Sequence, residues 1–524
     1  MSKSKKPRAV KGALNITRRE FAAYHFGGAE LPSDMFYVGV ANRILPLILK
    51  CLSGAGLFST GTCRHLALTL TCYVEDLVAG SGIWAAFTSL HNKKYGKPLP
   101  FYNLREDSTV YPYDDELPSF HAVRFLCWYV LNDSDPETML NPNNPGIRTL
   151  AMVLMPELTV AYDEAPETPA RPMLMPEEEI GVPLFYQIRN LCTWLYDRCY
   201  LTRIADIEAV TDDFNEIMSG VYRTMDCVEE SAEIYNADVF IAMNALIGPL
   251  ALPSHEWLAE IVNLYHEPEE EPFLPVLDAM KSRPYQLYRY ESVGESEAVL
   301  ETVDGEKLTL SAFTMPGERF APGIVAGEGA LMSLVSYDGA WVMNGLGIQA
   351  LAGEAFSDAR KASREKSEQS REVYKYHMKR FHKARIGVCG SYEEYQKLAF
   401  GDNAPEGHID GDVAEDIRHA RNILYFLNTD GTVSILPDFA QAVKIKNNPY
   451  YAPKEARSLG LSLILNHDLT TPEMRDYIIT HKLIPDAALN SAVSPEAGRK
   501  LFQQNIGFFN DYASRDTLPE VLSF

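Results

Sequence analysis

Residues 66–102 read LALTLTCYVEDLVAGSGIWAAFTSLHNKKYGKPLPFY, and the rest of the chain is organised around them. Leu66, Leu70, Tyr73, Val74 and Leu77 recur at helical spacing, so the first half is a helix with a wide apolar face. Gly80-Ser81-Gly82 ends or kinks it, because glycines contribute no packing and favour positive φ. A second helix begins near Ile83 and runs to Gly96 and Pro98. Glu75 and Asp76 lie in the interior of the first helix. Adjacent helical positions diverge by about 100°, so the two acids do not form a close dyad. A helix-terminus cap, or a pairing with Arg64 or Arg124, is the structural reading of the two acids; a catalytic or metal-binding carboxylate is the chemical one.

Working outward, the pattern from Leu31 to Asn132 is mainly helical. Ile44, Ile48 and Leu52 follow at four-residue spacing, with Pro46 placed in a first turn or at a kink. Val123, Leu126, Cys127, Val130 and Leu131 form another apolar face, and Trp84, Trp128 and Trp194 read as packing residues. Five prolines in 165–183 mark a linker, and a second helical block covers 184–265. HEPEEEPFLP (266–275) is a further boundary. From Tyr285 the period changes to two. Strands are expected at 285–290, 298–304, 307–313, 330–337 and 340–346, with Asp304-Gly305 and Asp338-Gly339 as hairpin turns. Residues 354–385 form a charged helix with ten Lys/Arg against five acids and a thin stripe of Phe356, Ala359, Tyr374, Met378 and Phe381. A hairpin around Asp430-Gly431 and further helices from Lys454 complete the chain.

The fold class expected is therefore α+β, multidomain and mostly helical, with a small antiparallel sheet or partly open barrel near 285–346. The domains are a basic arm (1–20), an N-terminal helical domain (21–164), the linker (165–183), the second helical block (184–265), the β module (284–350), a charged helix and connector (351–400) and a mixed, mainly helical C-terminal region (401–524).

The order CYVEDLVAGSGIWAAFT (72–88), HNKKYGKPLPFY (91–102) and AVRFLCWYVLN (122–132) resembles a bacterial family catalogued as domain of unknown function 3843. AFSDAR (355–360), LYFLNTDGTVSILPDFAQAVKIKNNPYY (424–451) and LIPDAALN (483–490) are similar to its later blocks. The likeness runs from about residue 30 to 515 and is weakest at 160–300. It implies one long cytoplasmic bacterial protein rather than a fusion of known enzymes, and it brings no established activity.

The chain has 524 residues and a net charge of −23, which argues against broad binding to nucleic acid or anionic membranes. Eight cysteines without a CxxC pair read as reduced thiols, and no 18-residue uninterrupted apolar run occurs, so the expected location is cytoplasmic with no membrane span. His377 and His382 are five apart, HExxH is absent, and GxSxG, GxxxxGK[ST] and a complete dinucleotide fingerprint are missing. No metal site and no cofactor are implied, and the reading leans away from an enzyme. Candidate residues are Glu75 and Asp76 for catalysis, Trp84, Tyr102 and Arg124 for binding, and Lys5, Lys6, Arg8, Lys379 and Arg380 for a polyanion. The leading expectation is a non-enzymatic interaction or adaptor protein with another protein as partner. One rival is a carboxylate- and metal-dependent hydrolase of a phosphorylated or nucleotide substrate. The other is association with RNA or the ribosome through the basic arm and the 360–385 helix.

Overall fold

A computed structural model describes residues 15–52, 58–102, 117–133, 139–169, 184–223, 230–265, 274–312, 324–351, 353–401 and 417–523. The architecture is α+β and mostly helical, with one mixed and two antiparallel sheets among the described residues. The chain divides into two compact units. The first comprises residues 1–205 and 257–271, the second 206–256 and 272–524. The helical block expected at 184–265 is thus shared between them.

The first unit contains α1 (Arg18–Ala22), α2 (Asp34–Leu52), α3 (Thr60–Ala79), α4 (Ile83–Tyr95), α5 (Phe120–Asn132), α6 (Pro145–Asp163) and α7 (Leu184–Asp197). Its core is the packing of α2, α3, α5 and α6 on one another. Thr17 opens α1 with a capping box closed by Glu20, which satisfies amides that the helix leaves orphaned. Gly80, at φ +67°, ends α3, and Gly82, at φ +84°, precedes α4, so the two helices meet at 91°. Positive φ at both positions is why glycine stands there. Trp84, Phe87, Phe101, Phe125 and Trp128 form a continuous aromatic core, with Phe87 and Phe125 stacked at 4.9 Å. Rings of this size account for a large share of the buried apolar area.

Pro46 lies in the interior of α2 rather than in a first turn. By length and composition α2 is apolar enough to cross a membrane, as are α3 and α4 taken together as a bent pair. Mean hydropathy admits these helices where uninterrupted apolar runs do not, because interspersed polar residues lower it only slightly. Here the apolar side of α2 serves the core: Tyr37, Val40, Ala41, Ile44 and Ile48 are fully buried.

The second unit begins with α8 (Ile207–Arg223), α9 (Glu230–Asn244) and the short pair β1 (Leu246–Ile247) and β2 (Leu252–Pro253), before α10 (Ser254–Tyr265), which from Trp257 on belongs to the first unit. After α11 (Leu274–Ala279) comes a barrel of β3 (Ser282–Val293), β4 (Glu297–Thr302), β5 (Lys307–Ser311), β6 (Gly329–Tyr337) and β7 (Ala340–Met343), with β8 (Ile348–Leu351) added along β6. All five expected strands are present. Asp338 and Gly339 both take positive φ, as a two-residue hairpin turn requires. The strand order β3-β4-β5-β7-β6 returns to β3, so the barrel closes, and the β5–β7 step is parallel where the expectation was antiparallel throughout. Tyr288, Tyr290, Ala298, Leu300, Leu308, Leu310, Ala330, Met332 and Leu334 fill its interior from alternate positions. Tyr285 and Leu331 instead join Phe214, Met218 and Phe240 of α8 and α9.

α12 (Gly353–Arg380) follows for 28 residues and stops five residues short of the expected end, because His382 and Lys383 adopt positive φ. β9 (Ile386–Ser391), which period counting missed, pairs with β10 (Arg421–Leu427), and β11 (Val433–Leu436) completes that sheet. α13 (Tyr392–Phe400) connects β9 onward. Two glycine turns touch α12. A Cβ at Gly305 would overlap the Arg360 guanidinium, and one at Gly431 would press on the Ser370 carbonyl. Glu301 accepts from both Arg289 and Arg360, fastening α12 to the barrel. The C-terminal helices α14 (Ala456–Leu465), α15 (Pro472–Thr480) and α16 (Pro495–Gln504) all pack on α17 (Ile506–Ala513).

Two stability experiments follow from this packing. A Cβ at Gly498 would run into the Leu489 carbonyl, so Gly498→Ala lowers unfolding free energy by about 1–3 kcal/mol. Gly220, inside α8, faces open space, so Gly220→Ala raises it by about 0.5–1 kcal/mol. Both are read from urea denaturation. His91 is fully buried, and its Nδ1 donates to the Lys97 carbonyl at 2.6 Å. Burial lowers its pKa from 6.5 to about 4. Its contribution is complete above pH 6.5 and is lost as pH falls, because the unfolded chain takes up a proton that the folded chain refuses. Stability therefore drops between pH 6.5 and 4 by up to about 3 kcal/mol on this account, and His91→Asn flattens that part of the urea stability–pH profile.

Candidate functional site

The two acids of α3 have different surroundings. Asp76 Oδ2 accepts from the Trp84 amide at 2.7 Å and from the Tyr200 hydroxyl at 2.9 Å, while Oδ1 accepts from the Ile83 amide at 3.2 Å. It therefore caps the start of α4 from the preceding helix, across the glycine break, where amide donors and the helix dipole favour an anion. Burial raises its pKa to about 6 against those donors. Asp76 is an architectural residue.

Glu75, about 100° further round α3, faces different partners. Its Oε2 lies 3.0 Å from His25 Nε2. His25 Nδ1 lies 2.7 Å from the Ala29 carbonyl, which can only accept, so Nδ1 carries a hydrogen and Nε2 shares a proton with Glu75. Asp34, at the start of α2, completes the group: its Oδ1 is 3.9 Å from His25 Nδ1. Asp34 Oδ2 accepts from the Leu31 amide at 2.9 Å and from Arg18 Nε at 3.2 Å. Burial alone would lower the His25 pKa, but Glu75, the Ala29 carbonyl and Asp34 together raise it. Burial raises that of Glu75 against the pull of His25. Burial, reinforced by Glu75 and other neighbours including Asp76 and Asp34, also pushes the Cys72 thiol well up.

His25 reaches the floor of a cleft of about 840 Å³ that is also lined by Arg19, Gly27, Gly28, Asn190, Thr193 and Trp194. Gly27 and Gly28 hold positive φ, and the space where side chains would sit is open. Trp194 is fixed by donation from Nε1 to the Tyr24 carbonyl at 2.9 Å. Arg19 is exposed at the rim.

The other expected residues separate from this cleft. Trp84 is buried between Tyr73, Phe87 and Phe125. Tyr102 and Arg124 do come together, with the guanidinium 4.2 Å from the ring centroid and Tyr102 donating to the Pro142 carbonyl. Arg124 also donates to Asn143 Oδ1 at 2.8 Å. Arg64 bonds to Glu20 rather than to Glu75 or Asp76. Lys379 is exposed on α12, whereas Arg380 is spent on the Lys397 and Leu398 carbonyls at the end of α13. Lys5, Lys6 and Arg8 lie outside the described residues. Sequence reasoning missed His25 and Asp34 because nine and fifty positions separate His25 from its two acids, and no motif carries such spacing.

Replacing Asp76 tests its assignment. Asp76→Ala leaves two amides and a buried hydroxyl without an acceptor and costs about 2–4 kcal/mol in urea unfolding. Asp76→Asn keeps one acceptor oxygen and costs less.

Known proteins add one relationship. No curated protein and no solved structure matches the chain. A family model described as a protein of unknown function, DUF3843, matches residues 15–274 and 351–515. The match lapses over the barrel, at 275–350, which overlaps the 160–300 stretch the sequence pointed to at 275–300 and extends beyond it. With most of its length matched, the chain belongs to the DUF3843 family.

Proposed function

We propose that this protein is a non-enzymatic cytoplasmic interaction protein that receives another protein in the cleft above His25. The observation that carries the reading is the lining of that cleft. It offers an exposed cation, Arg19, with Asn190 and Thr193 beside a buried Trp194 and an open glycine lip, while its two acids, Glu20 and Asp197, are paired with Arg64 and Arg198. Such a surface suits recognition of a segment bearing a carboxylate, with Arg19 as the charge partner. The hydrolase reading rests on a carboxylate such as Glu75 or Asp76 with a divalent metal; Asp76 is occupied by the α4 amides and Tyr200, and Glu75 faces His25.

Association with RNA or the ribosome is a second reading, supported by α12. Arg364, Arg371, Lys375 and Lys379 are all exposed and recur at seven- and four-residue spacing, which gathers them on one side of the helix. A groove of about 530 Å³ beside them adds Lys366 and three serines, but also Asp304 and Asp430.

The full chain used as bait in native lysate separates the readings. Under mild salt it recovers a stoichiometric protein partner, and Asn190→Trp, which fills the cleft from an exposed position, loses that partner without changing the melting temperature. Absence of a stoichiometric partner, or equal recovery by Asn190→Trp, overturns the proposal. Recovery of RNA that falls steeply with salt and is lost in Lys375→Glu/Lys379→Glu establishes the second reading instead.

A further inference from the structure

We propose that His25, Asp34 and Glu75 form a binding site for one divalent first-row transition ion of the Zn²⁺ or Mn²⁺ type. Each residue offers one donor atom, and the three donors lie within 4.8 Å of one another, all in buried side chains. Ligands of a single ion at about 2.0–2.2 Å sit roughly 3–4 Å apart, so the group is near the required spacing. The 3.0 Å separation of His25 Nε2 and Glu75 Oε2 is that of two neighbouring ligands at about a right angle.

Two independent features point to a cation. The first is unused acceptor capacity. Asp34 Oδ1 and Glu75 Oε1 belong to fully buried side chains, and neither has a hydrogen-bond donor; the adjacent Ser33 hydroxyl is equally unpartnered. A carboxylate oxygen removed from water without a donor is costly, and a cation held by the two carboxylates offsets the negative charge that burial leaves uncompensated. The second is the arrangement behind the ligands. His25 gives its Nδ1 hydrogen to the Ala29 carbonyl, which fixes the tautomer and leaves Nε2 facing Glu75. A histidine held in this way by a backbone carbonyl is the usual supporting arrangement for a metal ligand. The Leu31 amide and Arg18 hold Asp34 Oδ2, which leaves Oδ1 without a donor, 3.9 Å from His25 Nδ1.

One imidazole nitrogen with two carboxylate oxygens suits Zn²⁺ or Mn²⁺ better than Cu⁺, which prefers sulfur, or Mg²⁺, which prefers oxygen alone. The ligands come from the segment after α1, from the start of α2 and from the middle of α3. An ion there would tie the N-terminal segment to the core helices. The inference is independent of which partner occupies the cleft.

The experiment uses the full chain, stripped with a chelator and dialysed, and then titrated separately with Zn²⁺, Mn²⁺ and Co²⁺. The expected result is one equivalent of Zn²⁺ or Mn²⁺ by calorimetry and elemental analysis. At about a hundredfold excess over Kd the melting temperature rises by about 5 °C or more. Asp34→Asn and Glu75→Gln, which keep shape and remove charge, each weaken binding at least tenfold and abolish the thermal shift. The Co²⁺ form shows d–d bands without a thiolate charge-transfer band, a readout that stands even if a variant fails to fold. Failure of the wild-type chain to bind either ion, binding that survives both substitutions, or a thiolate band from cysteine ligation overturns the proposal.

Discussion

The first unit depends on one buried carboxylate. Asp76 belongs to α3 but spends its oxygens on the opening amides of α4 and on Tyr200. A helix start buried without acceptors would leave several amides unpaired inside a core, at a cost comparable with a sizeable part of a domain's net stability. The 91° turn between α3 and α4 is tolerable because Asp76 supplies those acceptors from the preceding helix. That turn in turn sets where Trp84 and Phe87 enter the aromatic core around Phe125.

The neighbouring Glu75 meets the same problem in a different way. Both acids are withdrawn from water, yet amide donors surround one and a single imidazole faces the other. Adjacent residues on one helix thus take part in a structural joint and in a buried polar cluster. The 100° step between them is enough to separate the two roles completely.

Much of this was readable from local patterns. The glycine break, the helices on either side and the five barrel strands all have signatures within a dozen residues. Asp304-Gly305 and Asp338-Gly339 mark turns, and the positive φ of Gly305, Asp338 and Gly339 accounts for the residue types at those positions. Pairings between distant segments were not readable. Closure of the barrel rests on β3 meeting β6 some forty residues later, and its parallel β5–β7 step has no local mark. Likewise Pro46 gives no sign of whether a helix will begin before it or enclose it, since tertiary packing can outweigh its local cost. The site was the least legible part. Glu75 was singled out with Asp76 because they are adjacent in sequence, whereas its partners His25 and Asp34 are adjacent to it only in space.

The two glycine turns against α12 give that helix the character of a ruler. Gly305 of the barrel meets it at Arg360, and Gly431 of the three-stranded sheet meets it at Ser370. Ten residues of helix set these marks about 15 Å apart and at a fixed rotation. The intervening side chains are largely exposed and polar, so substitutions there are cheap. Insertion or deletion of a single residue is another matter: it turns one mark by about 100° relative to the other and detaches either the barrel or the sheet. A surface stretch that tolerates almost any side chain is therefore bound to one length.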